Sequence, residues 1–433
     1  MKIAMLLPSG RCALTSLFLV LGATLSLPSI VVAGAVTPIQ EAAAREQPAF
    51  LATLQSLVEI ESGSQDLDGL ARIAALISER LRSLGGDVKV IAPVDIYRMD
   101  DTPDKVGSMV KAEFKGRGTK RILLIAHMDT VYLKGMLKDQ PFRVDGSRAY
   151  GLGIADDKQG IATILHAVAL LGKLGIDDYG TLTVLIDADE EISSPGSRAT
   201  ITQTAEDQDM TLSFEAAGPA GRMRLTTSGI GAAYLSVEGR SSHAGSRPEG
   251  GVNALTELVH QLMQLQDLSD PKSGLKLNWT LAQAGTNRNV IPANASAMAD
   301  ARALKVADFE RLEQELQRRI RNRLLPESKV KLKFEVRRPP LEATALSRRL
   351  GARAQAIYGE LGLPLEVADV ATGGGTDAAF AALRSRGPVV EGLGLTGFGA
   401  HSNDAEYVEI DTIAPRLYLV VRLIQDAASP VAQ

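Results

Sequence analysis

The chain of 433 residues is long enough for two or more domains with a sizeable core. Hydrophobic residues at 45% and charged residues at 23% give the balance of a soluble globular protein. A formal net charge of -4 gives no reason to expect nucleic acid as a partner, and aromatics at 4% argue against base-stacking platforms.

Lys2 and Arg11 precede an apolar stretch from Ala13 to Leu27, and Ala33-Gly34-Ala35 is a small-residue cleavage signal. The pattern predicts a secretory signal peptide over residues 1–35, with Val36 as the mature start. For a membrane anchor the stretch is short and interrupted by Thr15, Ser16, Thr24 and Ser26. A periplasmic or secreted protein is expected, with no stable membrane association after cleavage. The single cysteine, Cys12, lies inside this segment, so the mature protein would have no disulfide, cysteine nucleophile or thiolate metal site.

A helical pattern runs from Glu41 to Ile60. Leu70, Ile73, Ile77, Leu81 and Leu84 then recur at helical spacing up to a stop at Gly85-Gly86. Arg121 to Ala126 and Thr181 to Ile186 are short apolar runs, typical of strands buried on both faces. Gly160 to Leu174 reads as a helix between them, and Met210 to Phe214 as a further strand. This alternation predicts an α/β fold with a mostly parallel sheet and helices on its faces. The middle of the chain changes character. Ala232–Glu238, Val252–Leu265, Leu275–Ala282, Ala295–Leu304, Asp308–Ile320 and Val330–Val336 read in order as β-α-β-β-α-β, the ferredoxin-like plan. After Pro339-Pro340 the α/β pattern returns, so an inserted domain is expected over residues 227–337. The first domain would then occupy 36–226 and 338–433.

The chemistry sits just after the predicted strands: His127-Met128-Asp129, Asp156-Asp157, Glu190-Glu191, Glu215 and, late in the chain, His401. Open α/β sheets bind ligands at the carboxyl ends of their strands. Imidazole mixed with carboxylate suits zinc and its neighbours, whereas magnesium and calcium prefer oxygen alone. These residues could supply a bridging carboxylate, two sets of terminal ligands and a spare base, the parts of a two-metal hydrolase. Asp129, two residues on in extended chain, can hold His127 in one tautomer. Asp156 is the natural bridge, and Asp157 could instead favour a helix N-terminus. Glu190 and Glu191 can divide the work of base and ligand. Asp187 and Asp189 read as structural or supporting, and His166 and His260 as ordinary helix residues.

The motifs His127-Met128-Asp129-Thr130-Val131, Gly153-Ile154-Ala155-Asp156-Asp157-Lys158, Asp189-Glu190-Glu191, Ser242-His243-Ala244-Gly245, Gly373-Gly374-Gly375-Thr376-Asp377 and His401-Ser402 resemble the dizinc aminoacylase and carboxypeptidase family. Within that family the likeness runs to its secreted bacterial glutamate carboxypeptidases, in the same order from about Glu41 to Ala427. It implies two Zn²⁺ per subunit, one on His127 and Glu215, the other on Glu191 and His401, with Asp156 bridging. Glu190 would be the base, Asp129 would orient His127, and a cis peptide would join Asp156 to Asp157. The insert would be a dimerisation and lid domain of a homodimer, with His243 reaching the partner's active site or polarising the scissile carbonyl. Asn289, Arg302 and Arg338 would contact substrate. Gln159, Ile192-Ser193-Ser194-Pro195, Ser246-Arg247 and Ala400 depart from the pattern without removing a ligand. The expected reaction is hydrolysis of the amide to a C-terminal amino acid bearing a free carboxylate, glutamate foremost, in folate-like or N-acyl-glutamate substrates. The rival readings are an N-acyl-amino-acid deacylase on the same fold, a non-catalytic periplasmic binding protein and a structural periplasmic protein.

Overall fold

Residues 36–371, 373–402 and 405–428 are described in a computed structural model. The signal peptide expected over residues 1–35 lies outside the described residues. No helix among them is long and apolar enough to cross a membrane.

Five main strands build the central sheet: β1 (Asp87–Ile91), β2 (Met109–Lys115), β3 (Arg121–His127), β4 (Thr181–Asp187) and β5 (Met210–Ser213). A short strand, Val389–Val390, completes it in the order β1-β2-β4-β3-β5-(389–390). The pairs β3–β4, β3–β5 and β5–(389–390) are parallel, while β1–β2 and β2–β4 are antiparallel. Alternate residues of β3 go to opposite faces, as strand geometry requires. Ile122 and Leu124 join the large core with Phe50, Ile164 and Leu417 from the helices Thr37–Val58, Gln159–Leu174 and Ile413–Ala428. Leu123 and Ile125 join a second core with Ile201 and Phe380, from the helices Arg198–Glu206 and Ala378–Ala382. Both faces are covered, which explains the unbroken apolar reading of this strand.

The helix Leu67–Ser83 begins at Asp66, whose side chain accepts the Gly69 N–H at 3.1 Å. It buries Leu70, Ile73, Ile77 and Leu81 and gives way to Gly85, whose φ of 90° favours glycine. His166 is buried in the helix Gln159–Leu174, where Nδ1 meets Glu46 and Nε2 meets Thr53, both at 2.9 Å. His260 lies on a helix surface against the Asn322 carbonyl. Both keep the ordinary structural roles read from sequence.

A second sheet is made by β6 (Gly229–Glu238), β7 (Lys276–Ala284), β8 (Asn294–Ala303) and β9 (Lys329–Arg338), in the order β7-β8-β6-β9 with every pair antiparallel. The helices Ala254–Leu265 and Val306–Arg319 supply Leu258, Leu265, Phe309, Leu312 and Leu316 to its own core with Leu235 and Val237. The expected α/β class, with its mostly parallel sheet and ferredoxin-like unit, is borne out. Entry to and exit from this unit run side by side, because the Thr227 N–H donates to the Leu341 carbonyl at 3.1 Å.

Candidate active site

The parallel arrangement sends the ends of β3, β4 and β5 to one edge of the sheet, where titratable residues close or closely follow each strand. His127 closes β3, Glu190 and Glu191 follow β4, and Glu215 follows β5. Asp156 joins them from the turn before the helix Gln159–Leu174, and the Asp156–Asp157 peptide bond is cis. His401 arrives from a late loop in a left-handed conformation, φ 63°.

Two candidate ligand triads result, His127–Asp156–Glu215 and Asp156–Glu191–His401, each with ligand atoms within 4.8 Å of one another. Asp156 belongs to both. Its Oδ1 lies 2.9 Å from His127 Nε2, and its Oδ2 lies 3.2 Å from His401 Nε2. Glu215 Oε1 is 3.5 Å from His127 Nε2, and Glu191 Oε2 is 3.1 Å from His401 Nε2. Burial pushes Glu191 up to about 7 and Glu215 above its ordinary range, Asp156 adding to both. Burial also opposes ionisation of Asp156, but His127 and His401 outweigh it and hold this carboxyl low. Hydrogen bonds to Asp156 and Glu191 hold His401 up at about 11. Crowded, buried acids with interleaved imidazoles form a donor set that a divalent cation fits, because its charge replaces the protons they would otherwise retain. With nitrogen and oxygen donors, the set suits zinc.

Asp129 is fully buried and ties two strand ends together. Its carboxylate lies 3.3 Å from His127 Nδ1 and accepts the N–H groups of Glu190 at 3.1 Å and Glu191 at 3.2 Å. The Ser64 hydroxyl donates to it at 2.7 Å. Glu190 belongs to neither triad. Its Oε1 instead lies 2.7 Å from Arg338 Nη1. Burial pushes Glu190 well above the usual range, with Arg338 acting the other way.

Glu190, Glu191, Asp156, Glu215 and His401 line one cleft of about 500 Å³ with Arg224, Arg302 and Arg338. Arg302 reaches it from the second sheet. Its Nε and Nη2 donate to Asp300 and its Nη1 to the Gly373 carbonyl, leaving one N–H on each of Nη1 and Nη2 unused by these bonds. Arg338 is 2% exposed and is engaged by Glu190 and by Asp377, the latter at 2.9 Å. His243 and Asn289 do not line this cleft. They lie beside each other on exposed loops, where the Ala244 N–H donates to the Asn289 carbonyl at 2.9 Å. His243 Nδ1 accepts the N–H groups of Gly245 and Ser246.

Sequence reasoning passed over several neighbours. Arg224 showed no pattern, and Asp377 lay within a recognised motif without a role. Glu406, five residues after His401, looked like any surface acid. Gln159, which departs from the family pattern, is fully buried and donates to Asp157 at 2.8 Å and to the Phe214 carbonyl at 3.0 Å. It braces the turn against the end of β5.

Residues 123–426 match the peptidase family M20/M25/M40, and the chain belongs to this family of metal-dependent peptidases. Carboxypeptidase G2 of Pseudomonas sp. (strain RS-16) is 45% identical over 388 residues, 89% of this chain and 91% of that protein. Succinyl-diaminopimelate desuccinylase of Methylobacterium sp. (strain 4-46) is 27% identical, covering 89% of this chain and 97% of its own. Among solved structures, aminopeptidase PepT from Bacillus cereus ATCC 10987 superposes with a TM-score of 0.71 at 21% identity, covering 88% of this chain and 99% of that one. The M20 family metallo-carboxypeptidase Sso-CP2 from Sulfolobus solfataricus gives 0.66 at 16% identity, with coverage of 88% and 99%. The two structural likenesses establish the fold. Family membership sets aside the non-catalytic and purely structural readings.

Proposed function

We propose that this protein is an exported two-zinc carboxypeptidase that hydrolyses the amide joining an acyl group to a C-terminal glutamate, in folate-like or N-acyl-glutamate substrates. The observation that carries this reading is the pair of triads sharing Asp156 beside a cleft lined by Arg224, Arg302 and Arg338. The 45% identity to a carboxypeptidase supports it against the deacylase reading.

His127 and Glu215 would hold one zinc, Glu191 and His401 the other, with Asp156 between them. When bound, the metals supply Lewis acidity that polarises the scissile carbonyl and lowers the pKa of water from about 16 towards about 7. Glu190 then takes the water proton and passes it to the leaving nitrogen. Arg338, 2.7 Å away, favours the charged form of that carboxylate against the effect of burial and aims it. Arg302 and Arg224 bind the carboxylates of the leaving amino acid, and the planar fork of arginine suits that task.

Arg302→Lys tests the specificity. It keeps the charge but loses the fork, so kcat/KM on substrates with a free C-terminal glutamate should fall by about one to two decades, the worth of a charge-assisted contact of roughly 1.5–3 kcal/mol. Substrates with a masked α-carboxylate should lose less. Equal losses on both would reduce Arg302 to a brace for Asp300 and Gly373. A parallel panel ending in glutamate, aspartate or alanine reads the preference directly, and equal rates across it would favour a general deacylase.

Residues 36–226 and 338–433 would form the catalytic domain, and residues 227–337 a dimerisation and lid domain. Exposed in its own chain and beside Asn289, His243 would serve the cleft of a partner subunit, donating to the developing oxyanion. Mixed homodimers test this. Glu190→Gln and His243→Ala proteins, each nearly inactive alone, should regain activity after subunit exchange, because one cleft of each mixed dimer then holds both native groups. No recovery despite proven exchange would place His243 in its own chain's chemistry or outside it.

A further inference from the structure

Glu406 is a buried carboxylate, 3% exposed, that none of the roles above uses. It precedes the strand Tyr407–Glu409, which pairs with Arg148–Tyr150, and its own carbonyl accepts the Gly151 N–H. The backbone ladder therefore fixes where its side chain goes. Oε1 accepts the N–H groups of Ala155 at 2.8 Å and Asp156 at 3.1 Å, and Oε2 accepts that of Gly153 at 3.0 Å. The Tyr132 hydroxyl contacts Oε2 as well and lies 3.0 Å from the Ser402 carbonyl, beside His401. Two loops thus converge on one carboxylate, those carrying Tyr132 and Asp156, and the Tyr132 hydroxyl extends the contact to the loop that carries His401. Asp129 does the same on the other side of the centre, gathering the N–H groups of Glu190 and Glu191.

We propose that Glu406 is a positioning residue for the two-metal centre, holding the backbone from which Asp156 projects so that its two oxygens face the two triads. A carboxylate next to other acids is costly unless its charge is met; burial pushes Glu406 up to about 7, and these donors offset part of that cost. The inference rests on the reading of Asp156 as the shared ligand. Loss of Glu406 therefore acts on both metal sites together, whereas a fault in one terminal ligand acts mainly on one.

The test is calorimetric titration of the metal-free full-length protein with Zn²⁺, alongside thermal unfolding of the same samples. Glu406→Ala removes every acceptor and should weaken both equivalents by ~10–100-fold, the usual effect of losing a group that orients a ligand. Glu406→Gln can keep one oxygen on Ala155 and Asp156 and should fall between alanine and wild type. It also stands in if the alanine variant does not fold. Amide hydrogen exchange over residues 151–158 should quicken in both variants without metal. Glu46→Gln, in the distant contact with His166, controls for general destabilisation and should leave zinc affinity unchanged. Wild-type affinity in both Glu406 variants, or a loss confined to one equivalent, overturns the proposal if Asp156→Asn weakens binding. If Asp156→Asn binds zinc as wild type does, the metal reading itself fails.

Discussion

Replacing Glu190 by glutamine should leave the metal content unchanged while lowering kcat by ~10²–10⁴-fold, the usual worth of a positioned acid–base group. Glu190 stands outside both triads, so no ligand is lost. Its backbone N–H still donates to Asp129, and its backbone carbonyl still accepts from Arg338 Nη2 at 2.6 Å. Glutamine fills the same space and offers an oxygen to Arg338, but it cannot take a proton from water. Metal per chain by elemental analysis and steady-state kinetics on one glutamate substrate decide the matter. Metal loss with activity surviving would mean that Glu190 and Glu191 have exchanged roles.

The second large effect belongs to Arg338→Met, which keeps most of the side-chain length and removes the charge. Glu190 and Asp377 would then be buried without their shared cation. Breaking a buried ion pair by removing one partner costs about 3–5 kcal/mol. Denaturant unfolding of the metal-free protein should show a loss of that size. A second readout follows from the sign of the electrostatics. Burial raises the Glu190 carboxyl and Arg338 pulls it down, so losing the arginine raises it further. A base must be ionised to act, so the acid limb of the kcat/KM profile should move to higher pH. Arg338→Lys should shift it less. Lower stability with an unmoved acid limb would make Arg338 a structural residue alone, and no change in either would contradict the geometry.

These residues differ in how far the sequence revealed them. His127, Glu190, Glu191 and Glu215 each follow a strand whose apolar run is legible, and a parallel sheet necessarily gathers such ends on one edge. Asp156 and His401 sit in loops, where no periodicity marks a ligand; both stood out as candidates among the clustered acids and histidines, and the resemblance assigned them their places in the ligand set. Asp377 and Glu406 escaped because each acts through partners distant in sequence, and Arg224 because it lies in no motif. A carboxylate that accepts backbone N–H groups leaves no side-chain pattern for a reader to find. Gln159 looked like an irregularity until its bonds to Asp157 and Phe214 placed it in the brace of the turn. The strand and helix limits differ from the sequence reading by a few residues at most, largest at the first helix, which begins at Thr37. There the proline at its first turn is compatible with helix, although the apolar repeat starts later.

The crowding of buried acids around Asp156 also bears on how long the molecule lasts. Emptied of cations, these carboxylates must either repel one another or take up protons, and both weaken the folded state. Any ion that prefers the folded form raises its stability by mass action, about 2.7 kcal/mol at a free concentration one hundred times its dissociation constant. Survival against heat or protease should therefore rise with the free concentration of the metal that the triads bind, and a chelator should shorten the protein's life as well as stop its turnover.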